Sequence, residues 1–316
     1  MNHVVALDTV AEGPRPADPP EPPVLQTSGS KILAYITLTK PRIAVLVLFT
    51  VAVGYVLGTR VVPGGSAVEL IASLVGTGLV AAGASVWNQV LERSRDRRMT
   101  RTAKRPLPTG RVGLVEAGIF GSILCALGVT VLCVETHPLA GLVGLATFVL
   151  YVFVYTPMKP VTTLNTAIGA VPGALPPVIG WAAATGRLGI DAWALFLIVF
   201  LWQFPHFFAI AWIYREDYLR GGHRMLPSVD PSGRITGRQA VLYALTLLPV
   251  GLLPSIAGLA GIVYFAGALA LGLLYLLAAA RFWRNVNDTT ARTLLRVSFL
   301  YLPMILLLLL INPASA

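Results

Sequence analysis

Asn88-Gln89-Val90-Leu91-Glu92-Arg93-Ser94-Arg95-Asp96 stands where a long apolar segment runs into a dense basic one. The segment before it, 67–91, is apolar over roughly the 20 residues that a helix needs to cross a bilayer. A helix that continues past the apolar layer carries residues four apart on one face. Asn88, Glu92 and Asp96 therefore present three oxygen-bearing side chains together. The basic run from Arg93 to Arg111 includes Arg97, Arg101, Lys104 and Arg105, which suits a ligand with several negative charges. Carboxylates, a hard divalent cation and a polyphosphate form one coherent chemical set.

Composition extends the reading to the whole chain. Of its 316 residues 56% are hydrophobic and 12% charged, with a mean hydropathy of +0.75, whereas a soluble domain is about 25% charged. The chain is expected to be an all-α integral membrane protein. Apolar runs of spanning length fall at 32–57, 67–91, 114–134, 139–156, 163–184, 190–213, 239–258, 261–280 and 293–312. They predict a bundle of about nine transmembrane helices, with the fourth short and the seventh and eighth parted by the Pro254–Gly261 break. If the loops after helices two, four, six and eight lie on the N-terminal side, only Arg60 and Arg187 of the 24 Lys and Arg face the other way. The positive-inside rule then puts the N-terminus in the cytosol and the C-terminus outside. Topology and an anionic ligand account for the formal charge of +10 without nucleic acid.

Residues 1–30 hold Pro14, Pro16, Pro19, Pro20, Pro22 and Pro23 with four acids and one Arg. Such a stretch cannot bury a core, so a disordered cytosolic tail is expected before a polytopic membrane domain over 31–316. The tail is neither a secretory signal nor an Arg-rich, acid-poor transit peptide, which points to a bacterial inner membrane. Cys125 and Cys133 show no CxxC or CxxCH spacing and read as helix residues rather than a disulfide or a haem attachment. No Walker loop, nucleophile elbow or zinc-ligand spacing is present.

A second charged stretch follows the sixth apolar run, with Glu216 and Asp217 among Arg215, Arg220 and Arg224. It lies on the same membrane face as the first cluster. The two read as halves of one divalent-metal and diphosphate site at the mouth of a bundle. His206 lies inside the sixth run, where an ionisable ring tends to be functional. If that helix stays regular past Pro205, His206 and Asp217, eleven residues apart, share a face and stand about 16 Å apart along the axis. The imidazole would then sit in the apolar part of the chamber, against the acceptor. Tyr151, Phe153, Tyr155, Phe204, Phe207, Phe208 and Trp212 read chiefly as packing or interfacial belt, with shielding of an allylic cation as the functional alternative. Asn165 and Gln203 read as interhelical hydrogen-bond partners or as acceptor contacts.

Asn88, Glu92 and Asp96, followed by Arg101-Thr102-Ala103-Lys104-Arg105-Pro106-Leu107, resemble the first signature of the UbiA superfamily of intramembrane prenyltransferases. Three further stretches look like its haem-farnesylating branch: Trp202-Gln203-Phe204-Pro205-His206-Phe207; Tyr214-Arg215-Glu216-Asp217-Tyr218 with Met225-Leu226-Pro227; and Tyr155-Thr156-Pro157-Met158-Lys159 with Asn165 and Pro176-Pro177-Val178-Ile179-Gly180-Trp181. The resemblance spans about residues 31–312. Two positions depart from it. Glu92 stands where Asp is commoner, and Gly221 stands where quinone-type members carry the second acid of an Asp-xxx-Asp pair.

The resemblance implies a prenyltransferase of class EC 2.5.1. It would move a farnesyl group from farnesyl diphosphate to a vinyl group of haem b (protohaem IX), with water adding, to give haem O and diphosphate. It implies Mg²⁺ held by Asn88, Glu92, Asp96 and Asp217, with Arg97, Arg101, Lys104, Arg105, Lys159 and Arg220 against the diphosphate. His206, Gln203, Tyr155 and Asn165 would surround the acceptor, haem b being substrate rather than cofactor. The implied partners are the two substrates, the lipid bilayer and a downstream haem A synthase. Two alternatives stay open: a prenyltransferase with a quinone precursor or other lipid acceptor, and a transporter or oxidase-assembly protein without catalysis. Ligands at helical spacing with acids in a counterpart loop argue against the last.

Overall fold

Ser66 starts the helix on which the site depends. Its hydroxyl accepts from Glu69 N at 3.1 Å while the Glu69 carboxylate accepts from Ser66 N, a reciprocal cap that satisfies two otherwise orphaned amides. The helix runs for 32 residues, Ala67–Arg98, or about 48 Å at 1.5 Å per residue, against an apolar bilayer core of about 30 Å. The excess turns carry Asn88, Glu92 and Asp96.

The computed structural model describes residues 30–313. The expected tail over 1–30 therefore lies, Ser30 excepted, outside the described residues. The chain runs through α1 (Lys31–Thr39), α2 (Pro41–Val61), α3 (Ala67–Arg98), α4 (Leu114–Glu135) and α5 (Pro138–Val149). A π-helical turn (Leu150–Tyr155) leads into α6 (Thr156–Met158), followed by α7 (Asn165–Ala174), α8 (Pro176–Thr185) and α9 (Ile190–Ile213). Two short helices, α10 (Arg215–Arg220) and α11 (Leu226–Val229), precede α12 (Arg234–Ile256), α13 (Ile262–Arg284) and α14 (Asp288–Ile311). Among the described residues nine helical spans are long and apolar enough to cross a membrane. The protein is a multi-pass, all-α membrane protein, as its hydropathy predicts.

Three spans differ from the sequence expectation, each for a local reason. The run expected as one helix over 32–57 divides at Lys40, which adopts φ 50 and ψ 55 between α1 and α2. Pro41 has no N–H to continue the ladder, and its ring disfavours the right-handed helical region for the residue before it. The expected short fourth span reaches Met158 because the π-helical turn joins α5 to α6. The fifth breaks at Leu175, ahead of Pro176 and Pro177. Its second half, α8, packs very closely on α2: a Cβ at Gly54 would stand 2.0 Å from Pro177 O, and one at Gly180 2.0 Å from Val51 O. Small residues allow such backbone approach where no hydrophobic force drives helices together.

Because successive spans alternate in direction, the loops after α3, α6, α9 and α13, which end the second, fourth, sixth and eighth spans, lie at one end together with α1. Hydrogen bonds join these loops directly, Arg224 N donating to Lys159 O at 2.8 Å and Thr100 N to Asp217 Oδ1 at 3.0 Å.

Candidate active site

The polar face at the end of α3 is buried. Asn88, Glu92 and Asp96 are 2%, 5% and 0% exposed, a burial that two carboxylates tolerate only when paired. Lys159, just after α6, places Nζ 2.9 Å from Glu92 Oε1. Arg105, from the loop after α3, donates to Asp96 Oδ2 at 2.8 Å. Asn88 Nδ2 donates to Glu92 Oε2 at 3.0 Å and to Thr156 Oγ1 at 3.1 Å, and its own Oδ1 lies 3.4 Å from Lys40 Nζ. Asp96 Oδ1 has no hydrogen-bond partner.

The cations around this face are strongly perturbed. Burial works against the charge of Lys159, but the neighbouring Glu92 outweighs it and holds the amine above its usual range. Burial pushes the Lys40 amine down to about 7, with the charges of Arg105 and Lys159 acting in the same direction. Lys40 also pays for its place in backbone strain, being the one non-glycine residue with positive φ among those described; a non-glycine in this region costs of order 1–3 kcal/mol and tends to mark a functional site. The π-helical turn carries Tyr151 and Tyr155 to the same region, their ring centroids 5.4 Å apart and Lys159 Nζ 4.6 Å from the centre of the Tyr155 ring. An apolar cavity of about 150 Å³ opens beside them, reaching from Lys40 and Tyr151 past Val47, Val80 and Ile179.

The second acidic cluster does meet the first loop, in a manner the sequence does not predict. Asp217 accepts from Thr100 N at 3.0 Å, from Arg101 N at 3.3 Å and from Arg220, which also donates to Thr100 Oγ1 at 3.0 Å. The Arg101 guanidinium lies over the Tyr214 and Tyr218 rings at 4.8 and 5.8 Å. Burial alone would raise the Asp217 carboxyl, but the Arg220 contact and the two amides hold it below the usual carboxylate range. Both of its oxygens are engaged in a clasp between the loops after α3 and α9.

His206 is also placed differently. The helix does not continue to Asp217, because Tyr214, at φ −108 and ψ 22, separates α9 from α10. His206 Nδ1 meets Ser298 Oγ of α14 at 2.8 Å, with Trp202 stacked on the ring at 4.9 Å and Phe299 against it at 5.0 Å. It faces α14 and not the acidic face of α3. Gln203 donates to Ala170 O and Val199 O, and Asn165 to Thr162 O and Arg224 O, so both tie backbone to backbone. Of the expected diphosphate contacts, Arg105 and Lys159 are at the acidic face, and Arg101 and Arg220 are in the clasp. Arg97 turns its Nε to Pro108 O at 3.2 Å, and Lys104 is exposed. Lys40, Thr156 and His223 belong to the region and were not singled out from sequence. The cue for Lys40 was the Lys40-Pro41-Arg42 step that interrupts an apolar run.

Among the described residues no three His, Cys, Asp or Glu side chains converge into a self-sufficient metal site. The acidic face offers two carboxylates, an amide oxygen and one open buried oxygen, Asp96 Oδ1. Mg²⁺ usually keeps waters and is shared between one or two carboxylates and substrate phosphates. The residues fit a cation that arrives with a diphosphate.

Comparison with known proteins agrees with this chemistry. Residues 47–303 match the UbiA prenyltransferase family. A protoheme IX farnesyltransferase of Solibacter usitatus is 45% identical over 288 residues, 88% of this chain and 98% of that one. One from Salinibacter ruber is 42% identical over 279 residues, with 88% and 98% covered. Among solved structures, a digeranylgeranylglyceryl phosphate synthase superposes with a TM-score of 0.75 at 19% identity, over 90% of this chain and 99% of that one. A UbiA homologue from Archaeoglobus fulgidus bound to GPP and Mg2+ gives 0.63 at 16% identity, over 87% and 99%. At these identities the structural likeness concerns the fold.

Proposed function

The chain belongs to the UbiA prenyltransferase family, and from that premise we propose that it transfers the farnesyl group of farnesyl diphosphate to a vinyl group of haem b, with water adding to the other vinyl carbon, giving haem O and diphosphate. The observation that carries the chemistry is the buried face of Asn88, Glu92 and Asp96, with Asp96 Oδ1 unpartnered at one end and Lys40, 3.4 Å from Asn88 Oδ1, lining an apolar cavity at the other. Support for haem b as acceptor comes from the relatives' names and from Trp202-Gln203-Phe204-Pro205-His206-Phe207.

Asp96, Glu92 and Asn88 would hold a Mg²⁺ arriving with the diphosphate, and that ion would supply neutralisation of charge on the departing group. Arg105 and Lys159 turn from the carboxylates toward the phosphate oxygens, where charge-assisted hydrogen bonds are strongest. Lys40 adds a third cation from the strained junction of α1 and α2. The cavity takes the apolar chain, and the Tyr151 and Tyr155 faces lie where positive charge develops on the allylic carbon. The Asp217 clasp holds the two loops together over this chemistry.

The charge distribution supports a bacterial inner-membrane protein whose site opens to the cytosol and whose C-terminus lies outside, with 31–316 forming one membrane domain. Haem O would then pass to a haem A synthase.

The test is turnover by the purified chain in liposomes with farnesyl diphosphate and Mg²⁺, offered haem b and a hydroxylated aromatic acid in competition. Farnesylated haem as the product supports the reading. A prenylated aromatic acid with unchanged haem b would move the assignment to a quinone-type acceptor.

A further inference from the structure

His223 has no part in the chemistry above, yet the residue is 3% exposed and its Nδ1 meets no hydrogen-bond partner. Buried polar atoms nearly always find a partner, so an open one asks for a ligand, ion or water. The backbone around it is pinned. His223 N donates to Tyr218 O at 2.9 Å, Arg224 N to Lys159 O at 2.8 Å, and Asn165 Nδ2 to Arg224 O at 2.8 Å. Gly222, at φ +69, makes the turn just before it. A Cβ at Gly221 would stand 2.8 Å from Met99 Sδ and 3.1 Å from His223 Cδ2, and the Tyr218 ring closes another side at 6.0 Å between centroids. The ring has little freedom to turn outward for a partner.

Its charged surroundings are Glu92 and Lys159 of the acidic face, with Arg95 and Arg98 of α3. Burial pushes the imidazole down to about 4, the Glu92 charge offsetting part of that. A neutral ring offers one donor and one acceptor. A rigid neutral donor beside a carboxylate and several cations matches the needs of a polyanion that displaces those cations from their present partners.

We propose that His223 is a substrate-contact residue: with its proton on Nδ1, it donates a hydrogen bond to an oxygen of the diphosphate once that group is seated among Glu92, Asp96, Arg105 and Lys159. The proposal rests on the diphosphate reading of the α3 face and adds a residue to it.

The test is calorimetric titration of the full-length purified chain with magnesium pyrophosphate, with thermal midpoints recorded for every variant. A hydrogen bond to a charged acceptor corresponds to about tenfold or more in affinity, so His223→Leu should weaken binding by about that factor. An Asn amide nitrogen falls near the position of Nδ1, whereas a Gln amide nitrogen falls near Nε2. His223→Asn should therefore recover most of the affinity and His223→Gln should not, a contrast that stands even if the Leu variant fails to fold. Wild-type affinity in His223→Leu overturns the proposal. So does equal weakening in the Asn and Gln variants, which would mean that Nδ1 holds a structural water. Asp96→Asn separates the two levels. If it weakens binding while His223→Leu does not, only the role of His223 falls; if neither matters, or the wild type does not bind, the diphosphate reading falls with it.

Discussion

Asp96 and Asp217 both sit at the charged end of the bundle with an Arg beside them, but Asp96 keeps one oxygen open whereas Asp217 gives both oxygens to Thr100 N, Arg101 N and Arg220. The difference lies in the donors. Arg105 and Lys159 are side chains that can swing from a carboxylate to an incoming phosphate, so the pairs they form at Asp96 and Glu92 are exchangeable. Main-chain amides have nowhere to go, and a carboxylate that caps them is a fixture. One cluster is therefore built to release its cations to a ligand, and the other to keep two loops in register.

The comparison is broken most forcefully by unpairing the exchangeable side. Lys159→Met leaves Glu92 as an uncompensated buried charge, which costs about 3–5 kcal/mol; a large fall in thermal midpoint is expected. Adding Glu92→Gln should restore most of that stability but not turnover. Recovery of both would place the Glu92–Lys159 pair outside the chemistry. Asp96→Asn should leave the fold intact and slow haem O formation by about 10²–10³-fold, the usual loss when a charge-stabilising group is removed.

At the fixed side the effects are smaller. Asp217→Asn loses the Arg220 ion pair and part of the amide clasp, with an expected rise of about tenfold in KM for farnesyl diphosphate and a lesser change in kcat, since a hydrogen bond to a charged group is worth about 1.5–3 kcal/mol. An equal fall of kcat and kcat/KM would make Asp217 a participant in the transition state. The sign of its pH dependence follows from a depressed carboxyl: the clasp adds full stability above the ordinary Asp value of about 3.9 and loses it only as pH falls through the lower folded value. Loss of stability in Asp217→Asn should therefore be visible at neutral pH and vanish in acid. Smallest of all, His206→Gln should leave magnesium pyrophosphate affinity within about twofold, because His206 faces Ser298 and not the α3 face.

Much of this was legible along the chain. Spanning segments announce themselves through hydropathy, and Asn88, Glu92 and Asp96 share a face through a four-residue spacing that needs only local helix geometry. The divide at Lys40 was signalled by Pro41 and the break at Leu175 by Pro176. The clasp at Asp217 was not legible because its partners are main-chain amides 116 and 117 residues away, which no side-chain pattern records. His206 was misplaced because its face depended on helical continuity through Tyr214, where the helix ends. The burial of His223 requires segments near Lys159, Asn165 and Tyr218 to converge, and no periodicity carries that information.

The most direct test of the account is chromatographic separation of extracted haems from membranes of cells expressing the unmodified chain, Asp96→Asn or Asp217→Asn at equal levels. The account predicts abundant haem O with the unmodified chain, almost none with Asp96→Asn, and an intermediate yield with Asp217→Asn that recovers when farnesyl diphosphate is supplied in excess. Haem O formed equally by Asp96→Asn and the unmodified chain, or haem b alone from all three, would contradict it.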